Sequence, residues 1–103
     1  MTDAAKQPVY FVVFITTKYS SMEEAKRKAP EDIAAHMARS QTFHDEGKLL
    51  MGGAFLDHLD ELVSTMAVLT SRAVAEDYVE DDPFVRNGMV STWAIREWAN
   101  MLR

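Results

Sequence analysis

Three histidines, His36, His44 and His58, are the side chains of this chain whose ordinary titration lies nearest neutrality. Two of them fall on one predicted helix. With each residue advancing about 100°, Ile33, His36, Met37, Ser40, Phe43 and His44 occupy one arc of roughly 120°. Arg39, Gln41, Asp45 and Glu46 lie towards the other side. His36 therefore stands on an apolar face, where a packing helix would carry Leu or Ala. An imidazole lining a cleft takes or gives a proton without much tuning, so this face suits general acid–base work on a small molecule. The plain alternative is a buried histidine satisfied by a backbone carbonyl. His44 sits in the last turn, where histidines often bond a terminal carbonyl or complement the helix dipole. Together with Ser40 it is a candidate substrate contact. His58, in a polar turn, is expected in solvent.

Other chemistries find no support. The chain has no cysteine, which removes disulfides, thiolate nucleophiles and Cys-based zinc sites. The histidines are spaced by eight and then fourteen residues. That spacing fits neither an HExxH helix nor a facial triad, so no metal is expected. No glycine-rich run precedes a helix with Lys-Ser/Thr, and no cofactor is expected. Gly52 and Gly53 stand in a strand, where they either let a ligand approach the backbone or mark a bulge. Phe84, Trp93 and Tyr10 could wall an aromatic substrate or simply fill the core. The seven methionines would make any such pocket adaptable.

The elements that must position these residues follow from local pattern. Val9 to Thr17 is β-branched and aromatic throughout and reads as a strand. Tyr10, Val12 and Phe14 point to one side of it and Phe11, Val13 and Ile15 to the other, so both faces should be covered. Ser20 with Glu23, and Ser21 with Glu24, are overlapping capping boxes that open a short helix. Pro30 interrupts it and suits the first position of a new helix, running from about 30 to 46 and closed by Gly47. Lys48 to Leu56 is a second strand, Asp57 to Glu61 a turn, and Leu62 to Thr70 a third strand antiparallel to the second. Ser71 caps a helix from Arg72 to about Glu80, with Val74, Ala75 and Tyr78 inward. Pro83 ends it by pushing Asp82 out of helical geometry, a position where Asp also reads as an ordinary turn-former. After a loop through Asn87 and Gly88, Met89 to Trp98 is the fourth strand, apolar on both faces.

The order β-α-β-β-α-β is the α+β, ferredoxin-like arrangement: a four-stranded antiparallel sheet with two helices on one face. At 103 residues the chain forms one domain, here 9–103 after a loose tail over 1–8. It has 48% hydrophobic and 26% charged residues, an ordinary globular composition. The net charge of −5 and the lack of a basic cluster longer than Lys26-Arg27-Lys28 argue against nucleic-acid and membrane-surface partners. The polar start lacks the pattern of a secretory signal, and the apolar run Val9 to Ile15 is too short to span a bilayer, so a cytoplasmic location is expected. Strands one and four are apolar on both faces, and nothing remains in the chain to cover the second face. The economical cover is another copy, a homodimer packed sheet to sheet.

The sequence resembles the YciI-like (YCII-related) proteins of bacteria. The resemblance rests on His36 with Phe43 to Gly53, on Asp82-Pro83-Phe84 with Gly88, and on the closing Trp93 to Trp98 strand. It runs from Tyr10 to about Trp98. It implies a dimeric α/β barrel built on the ferredoxin-like fold, with a cleft between helix and sheet around a histidine and an aspartate, matched here by His36 and Asp82. In that role Asp82 would accept the second N–H of the ring and fix its tautomer. Relatives include a dehydrochlorinase acting on a chlorinated hydroxyquinol, and similar folds include muconolactone isomerase and cofactor-free monooxygenases. Relatives often carry Gly-Pro where this chain has Gly53-Ala54, which would change the rim of the pocket. Two readings follow. One is a cofactor-free lyase or isomerase using His36 and Asp82, with Ser40, His44, Gly52, Gly53, Phe84 and Trp93 against the substrate. The other is a non-catalytic dimeric module that binds a small molecule or regulates a neighbour.

Overall fold

A computed structural model describes residues 8–57 and 61–102. Its elements are β1 (Val9–Thr17), α1 (Met22–Lys28), α2 (Pro30–Asp45), β2 (Leu49–Ala54), β3 (Ser64–Leu69), α3 (Arg72–Glu80), α4 (Pro83–Arg86) and β4 (Val90–Ala99). The strands form one antiparallel sheet in the order β2-β3-β1-β4. Both β–α–β connections thus skip one strand, the ferredoxin-like topology that the element order implies. Just ahead of β1, the Pro8 carbonyl accepts the Asn100 N–H at 2.8 Å. His58 falls outside the described residues.

The register shows which residues share a face, since directly opposed residues in antiparallel strands point the same way. Phe11 faces Leu69, Val13 stands between Ala67 and Ile95, and Ile15 stands between Thr65 and Trp93. This is the helix-covered side. Val13, Ile15, Ala67 and Leu69 pack there with Phe43 of α2 and Ala75, Tyr78 and Val79 of α3. Tyr10, Val12, Phe14, Met66, Val68, Ala94 and Trp98 share the opposite side. There the Tyr10 and Trp98 rings lie 6.1 Å apart, and Trp98 is half exposed. On this side Val12 and Val68 are buried, Tyr10, Phe14 and Met66 are half-buried, and Ala94 and Trp98 are exposed.

Local chemistry sets the ends of the helices. Ser21 Oγ accepts the Glu24 N–H, while the Glu24 carboxylate reaches back to the Ser20 N–H at 2.7 Å and holds its own pKa below the usual carboxylate range. Ala29 breaks the helix with φ −141° and ψ 55°, and Pro30 starts the next one. Gly47 adopts φ 77°, a region that L side chains rarely occupy, and so stops α2. Ser71 Oγ caps α3 through the Val74 N–H.

Two features depart from the sequence pattern. The strand irregularity in β2 lies between Leu49 and Met51, not at the glycines, which pair in regular register with Ala67 and Met66. The segment after Pro83 is a helical turn, α4, rather than a loop. Pro at its first position and an aspartate before it are sufficient to nucleate that turn. It packs Phe84 with Ala29 and Met89 in a second small core, beside Tyr19, Ile33 and Val90.

Candidate functional site

Asp82 is the buried anchor of the site. It is only 1% exposed, in the extended conformation between α3 and α4. Its Oδ2 accepts the Phe84 N–H at 2.9 Å and the Val85 N–H at 3.3 Å, which caps α4. The second oxygen, Oδ1, is thereby aimed away from α4 and meets His36 Nδ1 at 2.5 Å. A carboxylate accepts through both oxygens, so one side chain ends a helix start and holds an imidazole at once. The turn-forming and histidine-holding readings of Asp82 are both present in the same group.

His36 projects from the middle of α2 with its side chain 14% exposed. Its ring lies flat on Phe84, with centroids 4.8 Å apart and planes 11° from parallel, and meets Tyr78 edge-on at 6.4 Å. With Nδ1–H donated to Asp82, a neutral ring carries its lone pair on Nε2. Among the described residues, no protein group hydrogen-bonds that nitrogen. Phe84 fixes the plane of the ring and Asp82 its rotation and tautomer.

The ring lines a cavity of about 540 Å³ between α1, α2 and the β2–β3 end of the sheet. That volume lies within the roughly 300–1,000 Å³ usual for small-molecule sites. Ile33, Met37, Ser40, His44, Gly52, Gly53, Tyr78 and Phe84 also line it. Gly52 and Gly53 present bare backbone to the space: a Cβ on Gly52 would meet the Met66 carbonyl at 3.6 Å, and one on Gly53 would meet nothing within 4 Å. Among the described residues, no group of three or more metal-ligating side chains converges anywhere.

His44 also reaches the cavity, and its Nδ1 donates to the Leu49 carbonyl at 2.8 Å. It thus takes the backbone partner considered for His36. Trp93 does not line the cavity. It opposes Ile15 on edge strand β4, on the far side of β1 from β2, and is 49% exposed. In the strand order β2-β3-β1-β4, β4 is the edge away from the cavity.

Tyr78 was legible only as an inward core residue of α3. Its ring is buried at 4% exposure, but its hydroxyl reaches the cavity wall, 2.9 Å from Ser40 Oγ. The available signal was the phenol itself, since a buried tyrosine hydroxyl needs a polar partner. Burial pushes its pKa above the usual tyrosine value, outweighing the Ser40 hydrogen bond, which acts the other way. Arg39 clamps the same region: its guanidinium donates to the Tyr78 and Asp77 carbonyls, each at 2.8 Å, and lies 4.7 Å over the Phe43 ring.

Comparison with known proteins places this geometry in context. Residues 9–99 match the YCII-related domain. No curated protein matches the chain. Among solved structures, the chain is similar to the Burkholderia phenoliruptrix 5-chloro-2-hydroxyhydroquinone dehydrochlorinase in complex with 2,5-dihydroxybenzoquinone. That match has TM-score 0.65 and 18% identity, and covers 88% of this chain and 94% of that one. It is also similar to PA3566 from Pseudomonas aeruginosa, with TM-score 0.54 and 17% identity over 94% of this chain and 97% of that one. A third similarity is to Rv0793 from Mycobacterium tuberculosis, with TM-score 0.52 and 8% identity over 92% and 96%.

Proposed function

The chain belongs to the YCII-related domain family, and from that premise we propose that it is a cofactor-independent enzyme that abstracts a proton from a cyclic or aromatic small molecule. His36 is the base and Asp82 the group that positions it. One observation carries this reading: an imidazole on a cavity wall has one nitrogen tied to a buried carboxylate and the other unengaged by the described residues. A ring held this way needs no reorientation when it takes a proton, and the carboxylate stabilises the imidazolium that results. Phe84 stacks on one side of the ring and leaves its edge to the substrate. Gly52 and Gly53, with Ser40 and His44, form the remaining contact surface.

The reaction is of the lyase or isomerase kind: the carbanion or enolate left by proton removal either expels a neighbouring leaving group or is reprotonated elsewhere. Hydroxylated six-membered rings, the class on which the Burkholderia dehydrochlorinase acts, are the first to test. Incubation with hydroxyquinols, ring ketones and lactones in deuterium oxide, followed by proton NMR, is expected to show exchange or turnover in at least one compound. The same signal should vanish in His36→Ala. Full turnover in His36→Ala would refute the assignment. Ligand binding without exchange in any compound would favour a binding module.

The protein acts as a homodimer in the cytoplasm under this reading. The apolar sheet face carrying Tyr10, Phe14, Met66 and Trp98 is the surface a second copy would cover, sheet to sheet. Among the described residues, no helix is long and apolar enough to cross a membrane. Light scattering at micromolar concentration is expected to return the mass of two chains, and a monomer would overturn the pairing.

A further inference from the structure

The Ser40 and Tyr78 hydroxyls meet at 2.9 Å, and this is the one hydrogen bond each of them makes among the described residues. Each hydroxyl owns a single proton. Within the pair one proton is donated to the other oxygen, so the second O–H is left over. Both side chains line the cavity, which is where the spare donor can find an acceptor. Ser40 lies four residues beyond His36 on α2, about 6 Å further along the helix axis on the same face. The Tyr78 ring already touches the His36 ring edge-on. The hydroxyl pair and the free imidazole nitrogen thus line the same cavity, with Ser40 one helical turn beyond His36 on α2.

The rest of the wall says what kind of ring. Among the described residues, no Asp, Glu, Lys or Arg lines the cavity, whose wall is mostly apolar and includes Met22, Ile33, Met37, Leu49 and Phe84. Apart from its two imidazoles such a lining offers no counter-ion for a carboxylate or phosphate, and a neutral ring acting as a base supplies none, so burying either anion there would be costly.

We propose that the Ser40–Tyr78 hydroxyl pair is an oxygen-receiving subsite: its spare O–H donates to the carbonyl oxygen of an uncharged ring ketone, whose adjacent carbon lies at His36 Nε2. The step balances without any further reagent. The C–H bond next to the carbonyl breaks and its proton goes to Nε2. The C–H electron pair becomes the C=C bond of an enolate, and the carbonyl π pair moves onto oxygen. The hydroxyl pair then donates to that oxyanion. Return of the proton from Nε2 to carbon completes an isomerisation or an exchange. A phenol held above its ordinary pKa by burial remains an O–H donor at neutral pH, as this role requires. Donors aimed at a developing oxyanion in a dry site are worth far more than in water.

This subsite rests on the proposed role of His36, and the experiment reads the two separately. β-Tetralone has an enolisable ring carbonyl; tetralin has the same bicyclic frame without the oxygen. Their affinities for the full chain are compared by NMR shift titration, and exchange of the α-protons of β-tetralone is followed in deuterium oxide. Wild type is expected to prefer β-tetralone, and Tyr78→Phe or Ser40→Ala should each reduce that preference by about 3- to 10-fold, the worth of one hydrogen bond. Exchange should slow by about 100-fold or more in Tyr78→Phe. His36→Ala should keep the preference and lose the exchange. Failure of His36→Ala to stop exchange would sink the base and leave the subsite standing. An unchanged preference in both hydroxyl variants, each with a near-wild-type melting temperature, would overturn the subsite, as would wild type binding neither compound or both equally.

Discussion

Two histidines on one face of one helix have been given different partners. His36 Nδ1 meets a carboxylate that is 1% exposed and itself fixed by two backbone N–H groups. His44 Nδ1, two turns on, meets the Leu49 carbonyl at the start of a strand. Both rings line the same cavity. The difference lies in what the partner can do when the ring takes a proton. A carboxylate stabilises an imidazolium by charge as well as geometry, and burial strengthens that attraction, whereas a carbonyl offers a dipole at an exposed helix end. The residue type alone is therefore no guide to function on this face; the partner is.

The sharpest break between them is kinetic. With any compound that exchanges or turns over, His36→Ala should cost about 10²- to 10⁴-fold in rate, the usual span of a general base. His44→Ala should stay within about 3-fold of wild type, the lower end of a single neutral hydrogen bond. Asp82→Asn belongs with the first variant: its amide can present N–H to the ring, which would move the imidazole proton to Nε2 and remove the base. Equal effects at His36 and His44 would show that the carboxylate partner confers no catalytic difference.

The next effect is on stability and comes from the same asymmetry. Asp82→Ala removes the cap of α4 and the acceptor for a mostly buried imidazole, and should cost roughly 2–4 kcal/mol in urea unfolding. His44→Ala removes one neutral donor from the Leu49 carbonyl and strands no charge, and should cost under about 1.5 kcal/mol. A double variant, Asp82→Ala with His36→Ala, should recover part of the Asp82 loss, because neither partner is then stranded; strict additivity would show that the two are not coupled.

How much of this could be read from residues alone depends on how local each cause was. β1 and α3 emerge with the expected ends because β-branched runs, the Ser71 cap and Pro83 act within a few residues. Gly47 stops α2 for the same kind of reason. The pairing of His36 with Asp82 spans 46 residues; nothing in either segment's own pattern forces it, and only the family resemblance suggested it. Trp93 shows what topology adds to a local pattern. The strand order that the element order implies puts β4 at the edge away from β2, and Trp93 does not line the cavity. Tyr78 reads as core because its ring is core, and its single side-chain polar atom carries the information that hydrophobic periodicity ignores.

The smallest effect tests the region lying between the two histidines, where Ser40 meets Tyr78. Burial raises the Tyr78 pKa above the tyrosine value of 10.0. The fold therefore favours the protonated phenol, and in the unfolded chain the group ionises first. Between those two pKa values the native state holds more protons than the unfolded state, so stability falls as pH rises. This contribution is fully present below about pH 10 and is lost as pH climbs through the raised value. Tyr78→Phe has no phenol to ionise and is spared that loss. At neutral pH the variant should melt slightly below wild type, by the roughly 0.5–1.5 kcal/mol of one hydrogen bond. Above about pH 10 the gap should narrow or reverse. Thermal melts of both proteins across that range give the answer, and a gap that stays constant would mean that the Tyr78 hydroxyl is wetter than its position beside Ser40 implies. The same melts on Ser40→Ala should show the alkaline loss retained, because the phenol is still present and burial still acts on it.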